Sequence, residues 1–451
     1  MADAPDTWTL LEGWGRTPRS AAWLRPVARE EEVLEAISSP GPRPLLARGL
    51  GRSYADAALA AGGLVLDATA LSGPVRLDRT TGIALVDAGV SLARLAREVL
   101  PHGWFLPVTP GTKHVTVGGA IAADVHGKNH HRDGSFGRHV RRLWLATPGG
   151  VRELTPDDEG FWATVGGMGL TGVVVRAEIQ LIEVESRFVL DREVATTSLE
   201  ETVDALSDDG SVRYSVAWLD ATAEGRHLGR GLVSLADHAP RDALGQAASD
   251  PLALPRDREL PAPPDLVPTG LLSLPTIRAF NRLWYERGRR RPHEALVDLR
   301  SYFYPLDAMR GWNRLYGPRG FLQYQVVVPE DAVWVIRRIL EDLRAAGHPS
   351  FLSVLKRFGP ASPGPLSFPM PGWTLALDLP ARRAGLDPLL TRLDRLVVEV
   401  GGRVYLAKDG RLSPKTFRQM YANLGAFAEV RARLGAQGHF ASDLSRRLGL
   451  D

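Results

Sequence analysis

Three short stretches concentrate residues able to do chemistry. The first is Arg48-Gly49-Leu50-Gly51-Arg52-Ser53-Tyr54, directly after the apolar run Pro44-Leu45-Leu46-Ala47. Glycines there let successive backbone amides close on an anion as a phosphate nest, although an ordinary glycine turn has the same composition. The spacing is neither the G-x-G-x-x-G of a dinucleotide unit nor a Walker loop. The second stretch runs from Pro110-Gly111-Thr112 through Thr116-Val117-Gly118-Gly119-Ala120-Ile121-Ala122. Its small residues suit a backbone wrapped around a flat, phosphate-bearing ligand. The third, Asp124-Val125-His126-Gly127-Lys128-Asn129-His130-His131, packs titratable side chains and an amide together. Three histidines could ligate a metal. Their spacing is not H-E-x-x-H, however, and no acidic cluster follows at helical spacing. With two glycine-rich loops upstream and Gly169-Leu170-Thr171-Gly172 downstream, a dinucleotide cofactor is the preferred reading, with no metal.

The elements that position these stretches alternate. Residues 30–37 carry apolar side chains at helical spacing and stop at Pro40-Gly41-Pro42, and residues 44–47 and 83–88 read as strands. Ser91 caps a helix whose Leu92, Leu95, Ala96 and Val99 share a face. Leu143-Trp144-Leu145-Ala146 turns at Pro148-Gly149-Gly150 into Val151-Arg152-Glu153-Leu154, and residues 161–179 end in a β-branched strand. After about residue 186 the pattern changes. The middle region holds a Pro-rich linker at 259–270, an arginine and aromatic stretch at 278–291 and a glycine-rich loop at 304–320. Mobile loops are expected near 259–300 and 304–320.

At 451 residues the chain is too long for one ordinary core. A formal charge of +3 gives no general field for nucleic acid. The absence of cysteine excludes disulfides, thiolate metal sites and a thiol nucleophile. No apolar window is long enough to span a bilayer, and the N-terminus lacks the features of a signal peptide. A cytoplasmic protein, or one peripheral to the membrane, is expected on that rule.

The strings ARGLGRSY, PGTKHVTVGGAIAADVHGKNHH, GSFGRHV and FWATVGGMGLTG strongly resemble the vanillyl-alcohol-oxidase, or PCMH-type, FAD-binding family. More narrowly they resemble its decaprenylphosphoryl-β-D-ribose oxidase branch. That resemblance continues through SVAWLDA, GWNRLYGPRGFLQYQ, FLSVLKRFGP, PLSFPMPGW and GGRVYLAKDGR, and so covers nearly the whole chain. It implies an α+β, two-domain fold: an FAD-binding domain at 1–186, an inserted antiparallel-sheet substrate domain at 187–402, and a C-terminal return at 403–451.

The resemblance places FAD against Ala47, Arg48, Gly49, Leu50, Gly51, Arg52, Ser53, Tyr54, Ala55, Asp56 and Ala57. Gly111, Thr116, Val117, Gly118, Gly119, Ala123, Asp124, Val125 and His126 continue that site, with Val174 and Tyr405. Related oxidases often attach FAD through a histidine in the first loop; Ser53 stands in that region here, so FAD is expected without a covalent bond. Substrate contacts fall on Trp218, Gln323, Gln325, Lys356, Phe358, Thr374, Ala376 and Lys408. Catalytic candidates are Lys408, for charge on reduced flavin or a forming alkoxide, and Tyr54 and His126, for proton acceptance or relay. The choice of base stays open at this level.

The implied activity oxidises the 2′-hydroxyl of a polyprenylphosphoryl ribose to a ketone. A nicotinamide-dependent reductase then completes the epimerisation to the arabinose donor for cell-wall arabinan. Peripheral membrane contact, on the periplasmic face by the resemblance, is also implied. An oxidase of a soluble alditol or aldonolactone, or a non-catalytic flavin-binding accessory protein, are the alternatives. Four positions depart from the family pattern: Ala55 for Gly, Met168 for Asn, Thr374 for Asn, and Ala376 for the Cys that nitroaromatic inhibitors attack.

Overall fold

A computed structural model describes residues 6–451 except 40, 42, 208–211, 246–249, 256–258, 265–272, 292 and 349. The first half is built on two larger sheets and a two-stranded ladder of Trp104–Phe105 with Ile182–Glu183. Strands Thr7–Glu12, Arg19–Pro26, Leu64–Asp67 and Leu45–Arg48 form a four-stranded sheet, antiparallel between its first two strands and parallel between the rest. Strands Arg76–Asp78, Ile83–Asp87, Val173–Gln180, Val140–Thr147 and Gly150–Leu154 form an antiparallel five-stranded sheet. Helices Glu30–Ser38 and Leu92–Val99 form where the apolar spacing places them, and the Ser91 side chain accepts from the Arg94 amide as an N-cap.

The second half is one eight-stranded antiparallel sheet. Its order is Glu294–Asp298, Phe188–Thr196, Gly231–His238, Tyr214–Leu219, Ser353–Phe358, Gly372–Pro380, Phe321–Val328 and Arg403–Val404. Strand alternation divides its residues between two faces. Tyr324 points to one face, where its hydroxyl donates to Asp394 of helix Leu386–Glu399. Helix Val333–Ala345 packs there too, burying Val335, Ile336, Ile339 and Leu340. The intervening positions, Gln323 and Gln325, therefore face the opposite way, toward the first half.

After Val404 the chain returns. Leu45 takes a hydrogen bond from Ala441 and gives one to His439, so the C-terminal segment extends the edge of the first sheet. Arg447 of helix Asp443–Leu448 binds Asp56 with two nitrogens, at 2.7 and 3.0 Å, and reaches Asp409 at 2.9 Å.

Much of the 259–300 region expected as a mobile loop is secondary structure. A helix spans Leu274–Gly288, a strand Glu294–Asp298 and a helix Leu299–Phe303. A Ser273–Thr276 capping box starts the long helix, and Ile277, Asn281, Tyr285 and Gly288 form its buried stripe. The period was obscured because Phe280, Leu283 and Trp284 lie on the outer face, opposite the buried stripe. Residues 265–270 of the Pro-rich linker lie outside the described residues.

Candidate functional site

The two glycine stretches come together face to face. A Cβ on Gly49 would lie 2.3 Å from Thr116 Oγ1, and one on Gly118 would lie 3.0 Å from the Ala88 Cβ. Thr116 caps the short helix Val117–Ala122 by accepting from the Gly119 amide. The Gly118 amide is bonded to the Ala88 carbonyl. Among the described residues, by contrast, the amides of Leu50, Gly51, Arg52 and Ser53 have no protein acceptor. Four consecutive unpaired amides in a glycine loop make an anion nest, and a Cβ on Gly111 would meet only open space. These features fit a pyrophosphate-bearing dinucleotide.

Several side chains of the same region brace the loops. Arg48 donates to the carbonyls of Ala58 and Glu12, and Arg52 bonds the His114 carbonyl while lying 3.9 Å over the Trp14 ring. Asp56 is held by Arg447. Buried Asp124 accepts from Ser135 at 2.8 Å, the Gly137 amide at 3.0 Å and Ser367. The segment Gly13-Trp14-Gly15 was not singled out in the sequence, yet it straps the first loop. Trp14 and Gly15 donate to the Ser53 and Tyr54 carbonyls, and a Cβ on Gly13 would stand 2.5 Å from the Ala55 carbonyl oxygen. Two glycines flanking a tryptophan are the signal that was available.

His126 sits in an aromatic box of Phe358, Phe368 and Tyr405, at centroid distances of 4.8, 5.6 and 5.2 Å. The Tyr405 hydroxyl donates to the Ala123 carbonyl at 2.7 Å. Burial, reinforced by Lys356, holds the imidazole well below its usual range, so it is neutral. With Gln325 Nε2 donating to His126 Nε2 at 2.9 Å, the proton resides on Nδ1, which has no partner among the described residues. A buried N–H aimed at nothing is costly unless a ligand accepts it. The neighbouring histidines diverge: His130 Nδ1 accepts from the Gly359 amide, and His131 Nε2 lies 3.3 Å from the Val212 carbonyl.

The large sheet supplies the opposing wall through one face of four strands. Register pairs Gln323 with Asp378, Gln325 with Ala376, Lys356 with Thr374, and Trp218 with Val354. Gln325 also donates to Thr374 Oγ1 at 3.2 Å, Lys356 Nζ donates to the Gly127 carbonyl at 3.4 Å, and Trp218 Nε1 donates to the Phe351 carbonyl. Tyr54 and Lys408 meet this wall. Lys408 Nζ lies 3.6 Å from the Tyr54 ring centroid, and Gln323 Nε2 stands 3.3 Å from the Tyr54 hydroxyl. Val174 is nearly buried beside a bulge in its strand, on the first-half side.

Asp378 was missed in the sequence. It continues the alternation Thr374, Ala376, Asp378, and its position in the otherwise apolar WTLALDLP was the available signal. Its Oδ1 accepts from Gln323 at 2.5 Å and its Oδ2 from the Tyr316 hydroxyl at 3.5 Å. Burial raises its pKa to about 7, against the attraction of Lys408. Burial lowers Lys408 to about 7, with Asp378 opposing that shift and Lys356 adding to it. Desolvation dominates both members, so a proton is easily moved on or off the pair. Burial also brings Lys356 to about 7, while Tyr54 is pushed up and stays a neutral phenol.

Residues 26–155 match the family model of an FAD binding domain. The chain is 44% identical over 457 aligned positions to decaprenylphosphoryl-β-D-ribose oxidase of Mycolicibacterium smegmatis, covering 99% of this chain and 98% of that protein. It is 33% identical over 198 residues to cytokinin dehydrogenase 7 of Oryza sativa, covering 41% of this chain and 38% of that one. An alditol oxidase of a Streptomyces species is 32% identical over 120 residues, 26% of this chain and 29% of the relative. The last two likenesses are partial. The first spans both walls of the site.

Proposed function

The chain belongs to the decaprenylphosphoryl-β-D-ribose oxidase family of FAD-dependent oxidoreductases, and on that premise we propose that it oxidises the 2′-hydroxyl of decaprenylphosphoryl-β-D-ribose to the 2′-keto sugar. Residues 1–186 and 403–451 then carry FAD, held without a covalent bond, and residues 187–402 carry the sugar lipid. The observation that carries this reading is the wall of Gln323, Gln325, Lys356 and Asp378 set against Tyr54 and Lys408.

FAD supplies the acceptor for the hydride that leaves the sugar carbon. The chain's own residues handle the rest. Lys408, poised near pH 7 beside Asp378, takes the hydroxyl proton; it is better suited than Tyr54, which burial keeps protonated. His126 is neutral, and its Nδ1–H, without a partner among the described residues, would be available as a donor to the cofactor. Gln323 and Gln325 present amides to sugar oxygens. Lys356 regains its charge when an anionic phosphate arrives beside it, which favours the phosphorylated substrate. The lipid tail calls for a membrane surface, and among the described residues no helix is long and apolar enough to cross one. The keto product requires a nicotinamide-dependent reductase to complete the epimerisation toward the arabinan precursor.

Anaerobic mixing of the flavin-loaded protein with a short-chain polyprenylphosphoryl ribose tests the reading. Bleaching of the flavin by this compound, and not by alditols, is the expected result. Bleaching by alditols alone would transfer the chain to soluble-polyol chemistry, and bound flavin that nothing reduces would make it an accessory protein.

A further inference from the structure

Helix Leu274–Gly288 presents an unusual outer surface. Its buried stripe includes the polar Asn281, fixed to Asp220 Oδ1 and the Ser350 carbonyl, whereas Leu283, Phe280 and Trp284 are 70%, 44% and 39% exposed. These three lie at i, i+3 and i+4, and the rings of Phe280 and Trp284 stack at 6.0 Å. A contiguous exposed patch of large apolar groups marks an interaction site rather than ordinary surface.

The charge around the patch is equally lopsided. Between residues 274 and 291 the chain carries Arg278, Arg282, Arg287, Arg289, Arg290 and Arg291 against Glu286 alone, although the whole chain has a formal charge of only +3. Glu286 is paired with Arg289 and approached by Arg290, and Arg278 is paired with Glu224. Arg291 lies 5.9 Å over the Trp284 ring. Arg287 follows Phe280, Leu283 and Trp284 along the same helical row, and Arg282 is exposed on the flank of the helix that also carries Arg278.

The patch is also continuous with the reaction site. Phe280 packs edge-on against Phe351 at 6.0 Å. Phe351 touches Tyr316 at 5.8 Å, Tyr316 stacks on Phe321 at 4.2 Å, and Phe321 meets Tyr54 at 5.3 Å. The Phe351 carbonyl holds Trp218 as well.

We propose that the outer face of helix Leu274–Gly288, with Phe280, Leu283 and Trp284 between arginines, docks on an anionic lipid surface and sets the aromatic wall of the site against it. Aromatic and aliphatic side chains flanked by arginine suit the headgroup boundary, where rings lie among acyl chains and guanidinium groups meet lipid phosphates. A second copy of this chain would bring the same arginines together and fits less well. The inference deepens the lipid-substrate reading, on which it rests for the reason to dock there.

The test uses the flavin-loaded full chain with vesicles of phosphatidylcholine, with and without phosphatidylglycerol. Co-sedimentation should require phosphatidylglycerol and weaken as salt rises. The variant Leu283→Ser/Trp284→Ser, and separately Arg282→Glu/Arg287→Glu, should each bind on the order of tenfold more weakly. Both should keep the wild-type flavin spectrum and wild-type bleaching by a soluble short-chain polyprenylphosphoryl ribose. Wild-type protein that ignores phosphatidylglycerol vesicles, variants that bind as well as wild type, or a patch whose mutation only dissociates an oligomer would each overturn the docking surface. Vesicle binding that follows the helix while no polyprenylphosphoryl ribose bleaches the flavin would keep the surface and remove the substrate reading.

Discussion

Lys408 is buried against a phenol ring, repelled by Lys356 and attracted by Asp378, and these three effects set its proton affinity. If its neutral amine takes the hydroxyl proton, flavin reduction must accelerate as pH rises through about 7. Asp378→Asn removes the attraction that retains the Lys408 proton, so the midpoint should move to lower pH; a merely structural defect would slow the reaction at every pH without moving it. Lys408→Met should cost about 10²–10⁴-fold in the reduction rate. Stopped-flow bleaching across pH measures all three. Ala376 makes a second residue-scale claim. It sits half-buried across from Gln325, where relatives are expected to carry the thiol that nitroaromatics attack. The wild-type chain should therefore gain no covalent mass during turnover with such a compound, and Ala376→Cys should gain one adduct by intact-mass measurement. Met168, another departure, adopts φ +54°, a left-handed conformation that asparagine tolerates better.

At the scale of elements, the site depends on register and on close backbone approach. Two-residue alternation gathers Gln323, Gln325, Thr374, Ala376 and Asp378 on one face, so a one-residue slip would turn the whole wall toward the helices. The Gly13-Trp14-Gly15 strap depends on contact between backbones. Gly13→Ala should displace the first loop, destabilise the protein by about 1–3 kcal/mol and weaken FAD binding on the order of tenfold, readable by thermal melting and flavin-fluorescence titration. These elements also show what could be read from sequence. Ser91 and the apolar row Leu92, Leu95, Ala96, Val99 are local signals, and local signals fix a helix. The glycine stretches could be recognised as ligand loops because glycine composition survives without a fold. Asp378 could not be recognised as a site residue, since nothing local says that it faces Lys408. Helix Leu274–Gly288 was hidden because its apolar residues lie on both the inner and the outer face.

Across the whole molecule, the cofactor loop is held from the far end of the chain. Arg447 serves two buried carboxylates, Asp56 in the first loop and Asp409 beside Lys408. Arg447→Met would leave both without their cation, a loss of roughly 3–5 kcal/mol, and should lower the melting temperature and FAD retention together. The central claim is hydride removal from the ribose carbon bearing the 2′-hydroxyl. The most direct measurement is anaerobic flavin bleaching by polyprenylphosphoryl ribose carrying deuterium at that carbon, with the product analysed by mass. A slower bleach than with the protium compound, and a 2′-ketone lacking the deuterium, is the predicted result. Bleaching at an unchanged rate with the label retained in the product would contradict the account.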